Sequence, residues 1–187
     1  MAEIVLFHHA RGVTDGVRSF AEVLRGHGHV VHLPDLFEGQ VFDTVEEGVA
    51  HAGVVGEDVL AERAATFVDR LPAGIVHGGM SMGAARAAEG VLRRPGARAA
   101  FFLYGAVAPS WWGATWPEGV PSQAHVSADD PWRETEAEDE YVADVPGGEL
   151  FVYPGSGHLF AEPGHPDHDP DAAALATRRV LELLDAL

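Results

Sequence analysis

The sequence predicts a single α/β domain in which helices cover both faces of a mostly parallel, doubly wound sheet. Short apolar runs alternate with helical patterns along the chain, an order typical of parallel sheets. The chain has 187 residues, of which 47% are hydrophobic. That length supports one substantial core and is too short for two ordinary domains. No internal repeat or linker divides residues 1–187, so one domain is expected.

Six strands are predicted, each from a short apolar run bounded by turn residues, because buried parallel strands show little polar alternation. In chain order they are residues 3–8, 29–33, 74–77, 99–104, 123–126 and 149–153. Pro34 ends the second strand, and Pro72 separates the third from the helix before it. Ligands of such sheets bind at the carboxyl ends of the strands, where the site is expected.

Five helices are predicted from apolar residues at helical spacing and from the residues that begin and end them. The first begins at Thr14 or Asp15 and ends at Gly26-His27-Gly28, and the others are residues 44–52, 57–70, 81–92 and 171–187. Two segments interrupt the alternation. Residues 108–121 are rich in Trp, Pro and Gly, and residues 133–140 are an acidic run.

Composition excludes several classes of function. The formal charge of -17 opposes binding to nucleic acid, and all twelve basic residues are arginines, so no lysine is available for a P-loop or a Schiff base. The chain has no cysteine, which removes disulfides, thiolate metal sites and a cysteine nucleophile. No membrane span or signal peptide is recognisable, so a cytoplasmic location is expected. Oligomeric state stays open.

The chemistry-bearing motif is G-x-S-x-G at Gly79-Met80-Ser81-Met82-Gly83. It follows an apolar strand and opens a helix, the setting in which two glycines allow a sharp turn and expose the central side chain. Ser81 is therefore the candidate nucleophile. The N–H of Met82, at the start of the helix, is a candidate donor to an oxyanion. The alternative is a Gly-rich turn that only packs closely.

A serine nucleophile needs an imidazole to take its proton and an acid to orient that imidazole. In a strand-turn-helix hydrolase the expected chain order is Ser, acid, His. Asp130 follows the fifth predicted strand, and His158 follows the sixth in a glycine-flanked loop. Asp129 is the rival for the acid, and either carboxylate could instead cap a turn.

The motifs together resemble the dienelactone hydrolase family of the α/β-hydrolase superfamily over nearly the whole chain. The segments that carry the resemblance are residues 5–12, 18–36, 78–83, 127–132 and 153–160. The resemblance implies Asp130 as the acid and implies that the amides of Ala10 and Met82 form the oxyanion hole.

Three positions depart from the family pattern. The best-known members use cysteine where this chain has Ser81, glutamate where it has His9, and a carboxylate-binding arginine where it has Glu162. These changes favour a serine enzyme and make an anionic lactone a poor substrate. His9 and Arg11 beside the predicted oxyanion loop are candidate substrate-binding residues, and Arg11 is the residue best placed to restore a carboxylate site.

Aromatic residues cluster after the fourth predicted strand. Tyr104, Trp111 and Trp112 are candidate walls of an apolar substrate pocket, with Trp116 nearby. The alternative is that they cover a core edge or a subunit contact. The paired His8 and His9, and the other histidine groups, lack metal-ligand spacing, so exposed histidines and no metal are expected.

The sequence thus predicts a cofactor-free hydrolase of small-molecule carboxylic esters or lactones that proceeds through an acyl-enzyme. Two alternatives stay open. The same triad could transfer the acyl group to another acceptor, or the scaffold could bind or sense a ligand without turnover.

Overall fold

The computed structural model describes all 187 residues and arranges six strands in one sheet. The strands are β1 (Glu3–Phe7), β2 (Val30–His32), β3 (Val76–Met80), β4 (Ala99–Leu103), β5 (Ser122–Ser127) and β6 (Gly148–Tyr153). Their spatial order is β2-β1-β3-β4-β5-β6, and every neighbouring pair is parallel. The order reverses direction after β2 and β1, so the predicted doubly wound sheet is confirmed, and it is wholly rather than mostly parallel.

Five α-helices and one 3₁₀ turn connect the strands, and a sixth α-helix follows the last strand. They are α1 (Asp15–Gly26), α2 (Val45–Val55), α3 (Glu57–Val68), α4 (Met82–Arg93), the 3₁₀ turn (Pro109–Trp112), α5 (Thr135–Asp144) and α6 (Pro170–Asp185). Helices α1 and α2 each begin at a residue whose side chain accepts a hydrogen bond from a backbone N–H of the first turn. The Thr14 hydroxyl accepts from Val17 N–H, and Thr44 forms a capping box with Glu47. None of the helices has the length and apolar character needed to cross a membrane.

Two hydrophobic clusters lie on the two faces of the sheet because successive strand residues point in opposite directions. On one face, Ile4 and Leu6 pack with residues of α1 and α6. On the other face, Val5 and Phe7 pack with residues of α3, α4 and α5. Helices therefore cover both faces, as the sequence predicts, and only the strand ends remain for a site.

Two elements differ from their predictions, one in its extent and one in its type. The third strand begins at Val76 and continues to Met80, since Gly78 and Gly79 pair with β4 although glycine rarely favours strands. The acidic run 133–140 does not interrupt the alternation but enters helix α5. Ala137 and Tyr141, four residues apart, bury one side of this helix, while most of its acidic side chains face solvent.

Three core histidines, His8, His77 and His125, are buried at the sheet. Among the histidine groups expected to be exposed, His8, His9 and His29 are buried, so that expectation is wrong for these three. Burial lowers the pKa of His8 and His77 to about 4 and the pKa of His125 to about 3, because a low-dielectric interior disfavours the imidazolium. The three core histidines are therefore neutral at pH 7.

Candidate active site

The turn from β3 into α4 presents Ser81 at the edge of the sheet. Its φ of 50° and ψ of -118° lie in a region that residues with a Cβ rarely adopt. The Ser81 amide donates to Leu103 O at 2.7 Å, which ties the turn to β4. Glycine is required around it, because a Cβ on Gly79 would lie 2.2 Å from Gly83 O and one on Gly83 would lie 2.5 Å from Phe7 O. The turn is tight because both glycines lack a side chain.

Ser81, His158 and Asp130 form a continuous chain of hydrogen bonds. Ser81 Oγ lies 2.8 Å from His158 Nε2, and His158 Nδ1 lies 2.7 Å from Asp130 Oδ2. Asp130 and His158 are buried, whereas Asp129 is exposed and its side chain makes no hydrogen bond to the imidazole. The structure therefore brings together the three residues that the sequence singled out, and Asp130 rather than Asp129 contacts the imidazole.

Backbone contacts hold the acid and the imidazole in place. The second carboxylate oxygen of Asp130 accepts from Trp132 N–H at 2.8 Å. Ser127 Oγ, at the end of β5, donates to Gly157 O at 2.7 Å and links the acid loop to the histidine loop. Since Nδ1 faces a carboxylate, it carries the proton, and Nε2 is left as the acceptor for the Ser81 hydroxyl proton.

The two predicted oxyanion donors lie beside Ser81. Met82 is the first residue of α4, so its N–H has no partner within the helix. Ala10 N–H lies in a turn and makes no hydrogen bond to the protein. Both residues line the cavity that holds Ser81 and His158. The arrangement can therefore place two backbone donors near a substrate oxygen.

The cavity around Ser81 has a volume of about 430 Å³ and a mostly apolar lining. Tyr104 and Trp111 form part of its wall, as expected. Burial, the largest cause, raises the pKa of the Tyr104 phenol, which therefore stays neutral. Trp112 does not line the cavity, since it packs against the core on the α4 side of the sheet, and Trp116 is buried in that core. The Trp-rich segment is thus divided between cavity and core.

A second, polar groove of about 750 Å³ adjoins the cavity at His158 and Trp132. Arg11 lines this groove and not the cavity around Ser81, in contrast to the expectation that it reaches the substrate pocket. The reason is that its Nε donates to Phe42 O at 3.0 Å and its Nη1 to Glu162 Oε1 at 3.4 Å. These two hydrogen bonds hold the Arg11 guanidinium in the groove and pair its charge with the Glu162 carboxylate.

His9 is buried and does not line the cavity, so the structure does not support a direct role in substrate binding. Its Nε2 lies 2.6 Å from Glu162 Oε2. Burial opposes ionisation of Glu162, but hydrogen bonds from His9 and Thr14 and the charge of Arg11 outweigh it and hold the pKa of this carboxyl below its usual value. The positions of His9 and Glu162 in the sequence do not indicate this pairing, although both residues depart from the family pattern.

No group of three or more histidines and carboxylates is placed to hold a metal ion. The side chains at the site are those of acid-base and nucleophilic chemistry.

The model of the dienelactone hydrolase family matches residues 1–187. None of the curated proteins matches the sequence significantly. Among solved structures, a dienelactone hydrolase-like promiscuous phosphotriesterase from metagenomic libraries is 22% identical, with a TM-score of 0.77 over 100% of this chain and 87% of that one. A dienelactone hydrolase from Anabaena variabilis is 23% identical, with a TM-score of 0.68 over 99% and 86%.

A chain from Xanthomonas campestris assigned to the α/β superfamily of hydrolases is 19% identical and aligns over 100% of both chains, with a TM-score of 0.70. At these identities the likeness shows the fold alone, which is the α/β-hydrolase fold that the sequence predicts.

Proposed function

The chain belongs to the dienelactone hydrolase family, and on that basis we propose that it hydrolyses neutral carboxylic esters or lactones through a Ser81-His158-Asp130 triad. The observation that carries the proposal is the pair of short contacts from Ser81 Oγ to His158 Nε2 and from His158 Nδ1 to Asp130 Oδ2. A serine hydroxyl becomes a good nucleophile when an imidazole can take its proton and a buried acid orients that imidazole. These three groups are hydrogen-bonded in that sequence here.

In the acylation step, Ser81 Oγ attacks the substrate carbonyl carbon while His158 Nε2 takes the hydroxyl proton. Asp130 stabilises the imidazolium that forms. The carbonyl oxygen becomes an oxyanion that accepts from the N–H groups of Ala10 and Met82. When the carbon–oxygen bond to the leaving alcohol breaks, His158 returns its proton to that oxygen, and an acyl-serine remains.

In the deacylation step, His158 takes a proton from water, and the resulting hydroxide attacks the acyl carbon. The tetrahedral intermediate collapses with departure of Ser81 Oγ, which recovers its proton from Nε2. The products are a carboxylic acid and a free enzyme, so the cycle needs no cofactor.

The lining of the cavity favours an uncharged substrate. It contains the apolar side chains of Met82 and Trp111 and one carboxylate, Glu134, but no arginine. An anionic substrate would lose hydration without gaining a cation in return. The guanidinium of Arg11 lies in the adjoining groove, where it is paired with Glu162. A neutral ester with an apolar acyl group therefore fits best.

Labelling with a fluorophosphonate and hydrolysis of p-nitrophenyl acetate test the proposal. Wild-type protein should react covalently at Ser81, and Ser81→Ala should lose both labelling and turnover, with a loss of about 10⁴-fold or more in kcat. Ser19→Ala, which removes an exposed hydroxyl on α1, is the matched control and should behave as wild type. Turnover that survives in Ser81→Ala, or a wild-type protein that neither labels nor hydrolyses, rejects the serine mechanism.

A further inference from the structure

The turn after β1 must hold the Ala10 N–H in one direction if that group is to serve as an oxyanion donor. A misdirected donor contributes little, because hydrogen bonds weaken steeply when they are bent. The turn comprises His8, His9, Ala10, Arg11 and Gly12. Loops are generally more mobile than the helices and strands that they connect. The contacts that hold this turn therefore determine whether the Ala10 N–H keeps its direction.

The peptide between His9 and Ala10 is held through its carbonyl. His9 O accepts from the ring Nδ1 of His8 at 2.7 Å and from Gly12 N–H at 3.0 Å. Because the peptide is planar and trans, a held carbonyl also sets the direction of the Ala10 N–H on the opposite side. His8 is held in turn, since its Nε2 accepts from Leu36 N–H at 3.0 Å.

The next peptide is held by the His9 ring. Arg11 N–H donates to His9 Nδ1 at 3.2 Å, and the other ring nitrogen faces the Glu162 carboxylate at 2.6 Å. These partners require an unprotonated Nδ1 and a protonated Nε2, which is one tautomer of neutral histidine. Glu162 selects that tautomer, and Thr14 Oγ1, donating at 2.7 Å, holds Glu162 itself.

Neighbouring helices pack closely against this turn and against the Glu162 side chain. A Cβ on Gly48 of α2 would lie 1.9 Å from Ala10 O, and a Cβ on Gly16 of α1 would lie 1.9 Å from the Glu162 side chain. The turn also touches the nucleophile turn, since a Cβ on Gly83 would lie 2.6 Å from His8 O. The turn that carries Ala10 therefore packs directly against the turn that carries Ser81.

We infer that His9 is a positioning residue, which Glu162 locks in one tautomer so that its Nδ1 fixes the Arg11 amide and aims the Ala10 N–H at the substrate oxyanion. The inference rests on the proposed function, since it assigns a role within that reaction. In this role His9 does not bind substrate, because its side chain lies outside the cavity around Ser81.

Two substitutions of His9 separate this role from simple burial of a polar group. In His9→Asn the side-chain oxygen can replace Nδ1 and accept from Arg11 N–H, while the contact to Glu162 is lost. In His9→Gln the longer amide can replace Nε2 and donate to Glu162, while the acceptor for Arg11 is lost. A residue that only satisfies the buried Glu162 carboxylate would make His9→Gln the milder change. A positioning role reverses that order.

The variants are compared by kcat and KM on p-nitrophenyl acetate, with thermal unfolding recorded for each. We expect kcat of His9→Gln to fall below that of His9→Asn by about tenfold or more at similar KM, since displacing one oxyanion donor costs part of the ~10²- to 10³-fold that its removal costs. His27→Gln, at an exposed position, is the control and should keep the wild-type kcat. Equal kcat values, or the opposite order, overturn the inference.

A measurement on the wild-type protein covers the case in which a variant does not fold. Long-range ¹H–¹⁵N spectra of the assigned His9 ring should show Nε2 protonated and Nδ1 unprotonated, and any other state overturns the inference. The result for Ser81→Ala distinguishes failure of the positioning role from failure of the proposed function. Turnover lost in Ser81→Ala with the wrong order of His9 variants refutes the positioning role alone, whereas turnover that survives in Ser81→Ala refutes the proposed function and the inference with it.

Discussion

Replacing Asp130 by asparagine exchanges one carboxylate oxygen for an amide NH₂ and should stop proton transfer at Ser81. The orientation of the new side chain follows from the structure. Trp132 N–H donates to Oδ1 at 2.8 Å, so the amide oxygen must occupy that position. The NH₂ group then faces His158 Nδ1, where Oδ2 had accepted at 2.7 Å. Facing a donor, Nδ1 gives up its proton, and Nε2 becomes protonated.

A protonated Nε2 cannot take the hydroxyl proton of Ser81. The expected loss in kcat is about 10⁴-fold, equivalent to ~5.5 kcal/mol of transition-state stabilisation. The fold should survive, because asparagine has nearly the same shape and can satisfy both neighbours. Initial rates on a neutral p-nitrophenyl ester at pH 7 to 8 measure the effect, and thermal unfolding confirms the fold.

Asp129→Asn is the matched control, since the neighbouring carboxylate is exposed and makes no contact with the imidazole. Its kcat should stay close to wild type. Comparable losses in the two variants, or a larger loss in Asp129→Asn, would refute the assignment of the acid. A loss of less than tenfold in Asp130→Asn would refute the argument from the tautomer.

Gly83→Ala should lower the free energy of unfolding by about 1–3 kcal/mol and reduce turnover, because its Cβ would meet a backbone carbonyl oxygen at 2.5 Å. Gly53→Ala, at an exposed helical position with open space, should raise that free energy by ~0.5–1 kcal/mol, and thermal unfolding that reverses this ranking contradicts the packing argument. Stability should fall as pH drops from about 6.5 to about 4, since the folded pKa of each core histidine lies below its unfolded value and the unfolded chain binds the extra protons. His125→Phe should flatten the slope of unfolding free energy against pH by up to ~1.4 kcal/mol per unit, and urea midpoints that do not change over this range would disprove the role of the core histidines. A neutral ester should exceed its carboxylate-bearing analogue by ~10-fold or more in kcat/KM, with a smaller gap at high salt, whereas a preference for the anion that Arg11→Ala removes would show a cation site.

Local patterns in the sequence predicted most of the fold and three residues of the candidate site. The apolar runs and helical spacing identified the six strands and the α/β class, because buried strands and amphipathic helices have different periodicities. The nucleophile turn was recognisable because its glycines, its strand and its helix are adjacent in the chain. Asp130 and His158 were recognisable because parallel strands deliver their carboxyl ends to one edge.

Periodicity failed where an element depends on its neighbours. Helix α5 has a weak apolar pattern, since only Ala137 and Tyr141 among its apolar residues bury, and the rest of its sequence looks like a solvated acidic run. The end of β3 is glycine-rich and was assigned to the following turn, yet β4 pairs with it through Met80. Both outcomes reflect tertiary packing that overrides local propensity.

The class of fold, the candidate nucleophile turn and the chain order of the candidate triad could be predicted from the sequence. Each depends on residues close together in the chain or on strand ends that a parallel sheet must align. The surroundings of His9, Arg11 and Trp112 could not be predicted in this way, because they depend on contacts between residues far apart in the chain. His9 and Glu162 stand 153 positions apart, and nothing in the spacing of either residue indicates the other. Their pairing depends on how the turns after β1 and β6 pack, and that packing places His9 and Arg11 against Glu162 and outside the cavity around Ser81.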